Sequence, residues 1–225
     1  MAEAVRAQNQ DEALVTARKR QIFLAACRVL SRKSFHEATV KEMAREAGLA
    51  AGSIYVYLQG KDEILLLLAE SMVAELVEML PDLHLHADGD PRRELLGIMH
   101  AALDVIDRYQ DAFAVINHEV RYLARRPRYR AALSQVLAGY RLALKDVLER
   151  GRALGVIHFS DLPSALEAIH MLCSGWAMGG ELFAKTDKET YWGEIAAMVE
   201  GRFFGRARDR EEPSNSSSRQ PAREL

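Results

Sequence analysis

The side chains best placed to do chemistry in this chain lie between Thr39 and Lys61, and that chemistry is non-covalent recognition of a polyanion. Thr39, Tyr55 and Tyr57 offer hydroxyls, Lys41, Arg45 and Lys61 offer cations, and Ala51, Gly52 and Ser53 form a run too small to hold another surface away. Hydroxyls, cations and helix N-termini are the groups that hold nucleic-acid phosphates. A tip of small residues brings the backbone to the base edges, where Ser53 and contacts with thymine methyls would carry readout. Covalent catalysis finds no comparable set, because His118-Glu119 has no nucleophile, metal cluster or phosphate loop beside it. His84 and His86 form a His-x-His pair with no third or fourth ligand nearby, so the segment from Pro81 to Asp90 reads as a loop and not as a metal centre. Cys27 and Cys173 lie far apart, without CxxC spacing, and read as small core residues. No cofactor is called for.

These residues need two short helices and a tight corner to position them. Thr39 can cap a helix whose apolar Val40, Met43, Ala44 and Ala47 share one face. Gly48 supplies the positive φ that ends it. A brief second helix is expected from about Ala50 to Tyr57, and Lys61 stands at the start of a long helix whose N-terminus would also attract an anion. Before them, Ile22, Ala25, Ala26, Val29 and Leu30 recur at helical spacing, and Phe35 reads as a plug for the small core they share.

From about Arg20 to Leu66 the sequence resembles the DNA-binding domain of the TetR family of bacterial repressors. The likeness is carried by Ala25-Ala26, Thr39-Val40, Ala44 with Ala47-Gly48, Gly52-Ser53-Ile54-Tyr55, Tyr57 and Lys61-Asp62-Glu63. It departs from the family pattern at Ser34, usually glycine, at Ala50, often a serine cap, and at Leu58, often phenylalanine. Loss of the cap at Ala50 is expected to cost about 1 kcal/mol unless a neighbour substitutes. The resemblance implies a helix-turn-helix reader of the major groove, an inducer pocket within the carboxyl-terminal helices, and release of DNA when the filled pocket moves the helix that begins at Lys61.

Charge agrees with the reading from the residues alone. Between Thr16 and Lys61 there are nine Lys or Arg and three acids, whereas the whole chain carries a net charge of -2, so a basic head sits on an acidic remainder. An all-α organisation of about nine helices is expected: a flexible arm at 1–15, a helix-turn-helix domain at 16–61, a ligand-binding and dimerisation domain at 62–204, and a disordered tail at 205–225. No run approaches the ~20 apolar residues of a membrane span, and the amino end lacks the apolar core of a secretory signal, so a cytoplasmic protein is expected.

The remainder reads as amphipathic helices. A long one runs from Asp62 to Leu80 and ends at Pro81; Asp90-Pro91 starts another, a third spans about Asp111 to Ala124, and a fourth runs from Pro127 to about Arg150. Met99, Leu103, Phe113, Asn117, His118, Arg121, Tyr122, Tyr140 and Trp176 are the candidate pocket residues, an apolar lining with scattered polar groups. The last two helices, about Leu162 to Lys185 and Lys188 to Phe204, carry more large apolar surface than a monomer needs. Leu172, Gly175, Gly179, Trp192, Ile195 and Val199 are the candidate dimer contacts, in a bundle of two helices from each chain.

The expected function is a ligand-responsive transcriptional regulator, a repressor that binds a near-palindromic DNA operator as a homodimer and is released by a small hydrophobic inducer. The segment Glu119 to Arg128 is similar to the corresponding region of TetR-family regulators of lipid and acyl-CoA metabolism, which would make the inducer an acyl-CoA or fatty acid. The alternative inducer is a cationic multidrug type with Glu119 as counter-charge. An enzyme and a helical scaffold without DNA binding are the competitors from other classes, and the scaffold leaves the basic head unexplained.

Overall fold

The computed structural model describes residues 2–182 and 186–205, with side chains described from 11 to 177 and from 186 to 205. Among these residues every regular element is helical. Helix α1, Ala2–Leu30, begins well before the expected start near residue 16, so the stretch read as an arm is helical. It contains no glycine or proline and is rich in Ala, Glu, Gln and Arg, and that propensity prevails over the absence of an apolar stripe. The stretch 206–225, read as most of the disordered tail, lies outside the described residues.

Helix α2, Val40–Glu46, is closed at both ends by local chemistry. The Thr39 hydroxyl accepts from the Glu42 N–H at 3.1 Å while the Glu42 carboxylate accepts from the Thr39 N–H at 3.0 Å, a complete capping box. At the other end Gly48 has φ +66°, the Gly48 N–H donates to the Arg45 carbonyl at 3.0 Å and the Leu49 N–H to the Ala44 carbonyl at 2.8 Å. That pairing needs a left-handed residue at position 48, and glycine adopts it without strain. The second helix is shorter and tighter than expected. It is a single 3₁₀ turn, Ser53–Val56, with no side-chain cap, because its N-cap residue is Gly52; the N–H groups of Ser53, Tyr55 and Tyr57 donate to the carbonyls three residues back.

Helix α3, Asp62–His86, passes straight through Pro81, which was expected to end it. Proline removes one hydrogen bond. The half-buried Leu80 and Leu83 on either side pack on the core, which keeps the last turn helical, and the turn ends at Asp88 and Gly89, both with positive φ. Helix α4, Pro91–Arg108, is capped by Asp90, whose carboxylate accepts from the Arg92 N–H at 2.9 Å. It runs through the middle of the larger part, burying Leu95, Ile98, Met99, Leu103 and Ile106. Helix α5, Gln110–Leu123, is followed by α6, Pro127–Val136, and α7, Ala138–Ala153. The single helix expected from Pro127 to Arg150 is broken at Leu137, next to Gly139, where an added Cβ would already touch the Val77 side chain of α3 at 3.4 Å.

Helices α8, Leu162–Leu182, and α9, Lys188–Val199, complete the fold, and α9 opens into a wider π turn at Glu200–Phe204. The Phe203 carbonyl there accepts from the His158 N–H at 2.7 Å, tying the end of α9 to the turn after α7. The buried core is continuous from Ile22 in α1 to Phe203, so head and body share one apolar interior through α3. Burial raises the Cys27 thiol to about 11 and the Cys173 thiol to about 12, so both stay protonated core groups. Among the described residues no helix is long and apolar enough to cross a membrane.

Candidate functional site

The head presents one unobstructed tip. Ile54 is fully buried and pins the 3₁₀ turn to the core, leaving Ala51, Gly52 and Ser53 exposed beside Tyr55, which is 56% exposed, and Val56, which is 79% exposed. Val56 is an exposed apolar residue of the tip to which the sequence assigned no role. An apolar side chain held this far out of the core by a buried neighbour suits a thymine methyl, and its only signal in the sequence was adjacency to Tyr55. Tyr57 is half-buried against the core with its ring, so only its edge faces outward.

The nine cations of the head are unequally free. Arg28 and Arg32 bind Glu46 at 2.7 and 2.8 Å, Lys33 binds Glu42, Lys19 lies 3.7 Å from Glu70, Arg20 meets Glu75 at 3.2 Å and Arg18 donates to Gln21 at 2.8 Å. Lys61 donates to the His36 carbonyl at 2.9 Å and its ammonium lies 4.8 Å from the Phe35 ring centroid. Lys41 and Arg45 remain. They are exposed, lie one turn apart on α2 and have no partner among the described residues. They are therefore the cations most available to phosphates, ahead of Lys61, which also holds the turn between α1 and α2 in place.

Glu42 orients this surface through the capping box, and Lys33 first, then the Thr39 N–H and hydroxyl, hold its carboxyl down at about 2. A depressed carboxyl stabilises the fold above its ordinary value of 4.5, and the contribution is lost as pH falls from there through about 2. Urea titrations between pH 6 and pH 2 should show a loss of stability in that window that is smaller in Glu42→Gln. Identical pH profiles for the two proteins would remove the carboxylate from this role.

Residues 22–68, from the buried face of α1 into α3, match the family described as bacterial regulatory proteins, tetR family. That match places residues 22–68 in the TetR family. It is similar to the HTH-type transcriptional regulator HbdR of Aromatoleum sp. (strain CIB), at 31% identity over 111 residues, covering 49% of this chain and about half, 48%, of that relative. It is also similar to the fatty acid metabolism regulator protein of Bacillus subtilis (strain 168), at 28% identity over 138 residues, covering 61% of this chain and 69% of the relative. Among solved structures, the fatty acid degradation regulator FadR of Bacillus halodurans matches with a TM-score of 0.67 at 21% identity, covering 82% of this chain and 95% of that one. The ketosteroid transcriptional regulator KstR2 of Mycobacterium tuberculosis matches with a TM-score of 0.63 at 19% identity, covering 84% and 95%. At these identities the structural likeness carries the fold alone.

The candidate pocket is divided by the structure. Met99 and Leu103 are buried on α4, Tyr140 is buried on α7, and Phe113 and Asn117 are half-buried on α5. Half-buried Trp176 on α8 donates its indole N–H to Asp107 at 3.0 Å. The Cys173 thiol lies 3.7 Å from the Met99 carbonyl, and the Tyr140 and His170 ring centroids are 6.4 Å apart, so α4, α7 and α8 converge here. Burial pushes the Tyr140 hydroxyl well above its ordinary value, keeping it neutral. His118, Arg121 and Tyr122 do not join this group. They are exposed, because the body-facing side of α5 is filled by Ala112, Phe113, Ile116, Glu119 and Leu123. Among the described residues two buried side-chain polar atoms have no partner, the Asn117 Nδ2 and the Ser174 Oγ, and Ser174 was not among the candidates.

The candidate dimer residues also rearrange. Ile195 and Val199 turn inward and are buried within their own chain, and an added Cβ on Gly175 would meet the Tyr191 hydroxyl at 2.7 Å, so the close approach there is intramolecular. The Tyr191 hydroxyl donates to the Leu172 carbonyl at 2.7 Å. Trp192 is half-buried with its ring edge on His100, and Gly179 lies in helical backbone beyond the described side chains. The outward face instead carries Ala168 and Met171 on α8, then Gly193, Ala197 and Met198 on α9, with Met171 51% and Met198 54% exposed.

Proposed function

We propose that the protein is a ligand-responsive transcriptional repressor that binds a near-palindromic operator as a homodimer. The observation that carries this reading is the exposed 3₁₀ tip of small residues, flanked by Tyr55 and by the unpaired cations Lys41 and Arg45. One such tip meets few base pairs, and two related by a two-fold axis read half-sites about 34 Å or a multiple apart. Selection of bound fragments from genomic DNA, followed by footprinting, tests it. A single protected site with inverted symmetry is expected, and recovery of no enriched duplex at low salt would end the proposal.

The copies pair through the outward faces of α8 and α9. Three small residues, Ala168, Gly193 and Ala197, and two methionines on the exposed faces allow close helix approach with an adaptable apolar rim. Met171→Asp with Met198→Asp is expected to leave the far-ultraviolet spectrum unchanged and to shift sedimentation from dimer to monomer at micromolar concentration. A variant that still sediments as a dimer would place the interface elsewhere.

An apolar inducer with a neutral hydrogen-bonding end fits the body best. The unpartnered Asn117 amide offers a donor and the Ser174 hydroxyl a donor and an acceptor, while Glu94 and Glu119, the buried acids, are already engaged by Arg150 and His84 and by His36 and His118. That engagement of Glu119 weighs against a cationic inducer. Similarity to a fatty acid metabolism regulator supports a lipid-like molecule, such as a fatty acyl ester or thioester. A buried polar group without a partner costs about 1–3 kcal/mol, so Ser174→Ala is expected to leave the ligand-free protein as stable or to raise its melting temperature by a few degrees. A fall of several degrees would mean that the hydroxyl is already satisfied.

A further inference from the structure

Besides the contact of His36 with Glu119 at 3.1 Å, the head is fastened to the body at two places among the described residues. One is centred on Glu75 of α3, where Arg20 of α1 and the Tyr109 hydroxyl meet the same carboxylate oxygen at 3.2 and 3.0 Å and Arg108 takes the other. Phe23 packs edge-on against Tyr109 there, with ring centroids 4.9 Å apart. This junction is part apolar and shielded, with the Glu75 side chain only 16% exposed.

The other place is the corner between α5 and α6, and it is made of two ion pairs, with Asp62 34% exposed and Glu63 as shielded as Glu75. Arg126 donates to Asp62 at 2.6 Å and Arg128 to Glu63 at 2.7 Å, so the corner grips the first turn of α3. The second oxygen of Glu63 accepts from the Gln59 N–H at 2.6 Å, just beyond the 3₁₀ turn. The corner thus reaches the reading tip through a single carboxylate. The Arg126 guanidinium is braced from behind by the Tyr122 hydroxyl at 2.8 Å and lies 5.0 Å from the Tyr122 ring centroid. That places Tyr122, exposed and absent from the pocket, where its position does work on Arg126.

We infer that Arg126 and Arg128 are positioning residues that latch the angle of the head, which otherwise swings about the junction at Glu75. Exposed ion pairs contribute little to global stability but are directional, and bidentate-capable guanidiniums fix geometry better than ammonium groups. Both pairs join the same two segments and lie outside the apolar cluster, so both can be broken without removing a core side chain, and the head angle is then held less narrowly. The consequence for DNA rests on the operator reading above: a latched head holds the spacing of two half-sites, and an unlatched head tolerates the wrong spacing.

The full chain decides this with a distance measurement that needs neither DNA nor ligand. Nitroxide labels are placed at Ala50→Cys on the head and Lys145→Cys on the body, in a Cys27→Ala, Cys173→Ala background, and labelled protein is diluted with unlabelled. Pulsed electron resonance should give a narrow distribution in the parent, at least twofold broader in Arg126→Ala with Arg128→Ala, and largely narrowed again in Arg126→Lys with Arg128→Lys. Circular dichroism and sedimentation should match the parent throughout. An unchanged width in the alanine variant overturns the latch. On the recovered operator, one inserted base pair should weaken the parent by more than tenfold and the alanine variant by less than threefold; equal losses would overturn the consequence for spacing. If no operator is recovered the repressor reading fails, while the label distances still decide the latch.

Discussion

Lys41→Ala combined with Arg45→Ala is expected to flatten the salt dependence of operator binding by about 3.6 units of slope, roughly 0.9 for each of four phosphate contacts in a dimer. At 0.1 M salt that corresponds to a loss in affinity of some thousandfold, spread almost evenly over specific and unrelated duplexes, because phosphate contacts carry no sequence information. The size of the effect follows from availability. Of the cations in the head these two have no carboxylate, carbonyl or ring beside them among the described residues, so none of their charge is spent within the protein. They stand one turn apart on a helix capped at Thr39 and stopped at Gly48, which holds both toward the same side. Fluorescence anisotropy against salt measures the slope directly. A slope within half a unit of the parent would mean that the phosphates run past another face of the head.

Gly151→Ala is expected to destabilise the fold by roughly 2 kcal/mol, lowering the melting temperature by about 4–8 °C, although alanine is the better helix former. The reason is one neighbour. An added Cβ would stand 2.4 Å from the Cδ1, 2.5 Å from the Cγ1 and 2.9 Å from the Cβ of Ile157. Ile157 is completely buried and cannot back away, because its own N–H and that of Val156 both donate to the Gly151 carbonyl, at 3.0 and 2.9 Å. Gly97→Ala makes the opposite control. Its new methyl would lie in ordinary contact, 3.4 Å from the Leu83 side chain, so the gain in helix propensity should raise stability by up to about 1 kcal/mol. Calorimetry on the two variants should give shifts of opposite sign, and a stabilised Gly151→Ala would mean that the turn after α7 yields more readily than its hydrogen bonds imply.

The head was readable because its signals are local. Thr39 with Glu42, Gly48, and apolar residues at helical spacing each act within one or two turns, and so did Asp90-Pro91 at the start of α4. Where a local signal competed with packing, packing prevailed. Pro81 breaks an isolated helix but sits inside α3, where Leu80 and Leu83 hold the following turn on the core. The helix expected from Ala50 to Tyr57 is a single 3₁₀ turn that starts after Gly52 without a side-chain cap and is pinned by Ile54.

Rotation of a helix about its axis is a different quantity, and the sequence leaves it open wherever apolar residues surround the helix. On α5 that ambiguity put His118 and Tyr122 in the pocket, whereas the structure turns them outward. On α9 it offered Ile195 and Val199 to a second chain, whereas both are consumed by their own core and Met198 is left exposed.

By itself the sequence determined the kind of protein this is: an all-helical chain with a basic helix-turn-helix end, since caps, a positive-φ glycine and charge asymmetry are written in neighbouring residues. Only the tertiary structure decided which cations stay free, which polar atoms are left unpaired inside, and which face of α8 and α9 looks outward. Those properties belong to pairs of residues far apart along the chain, such as Arg28 with Glu46 or Arg128 with Glu63, and they exist only once the helices have packed.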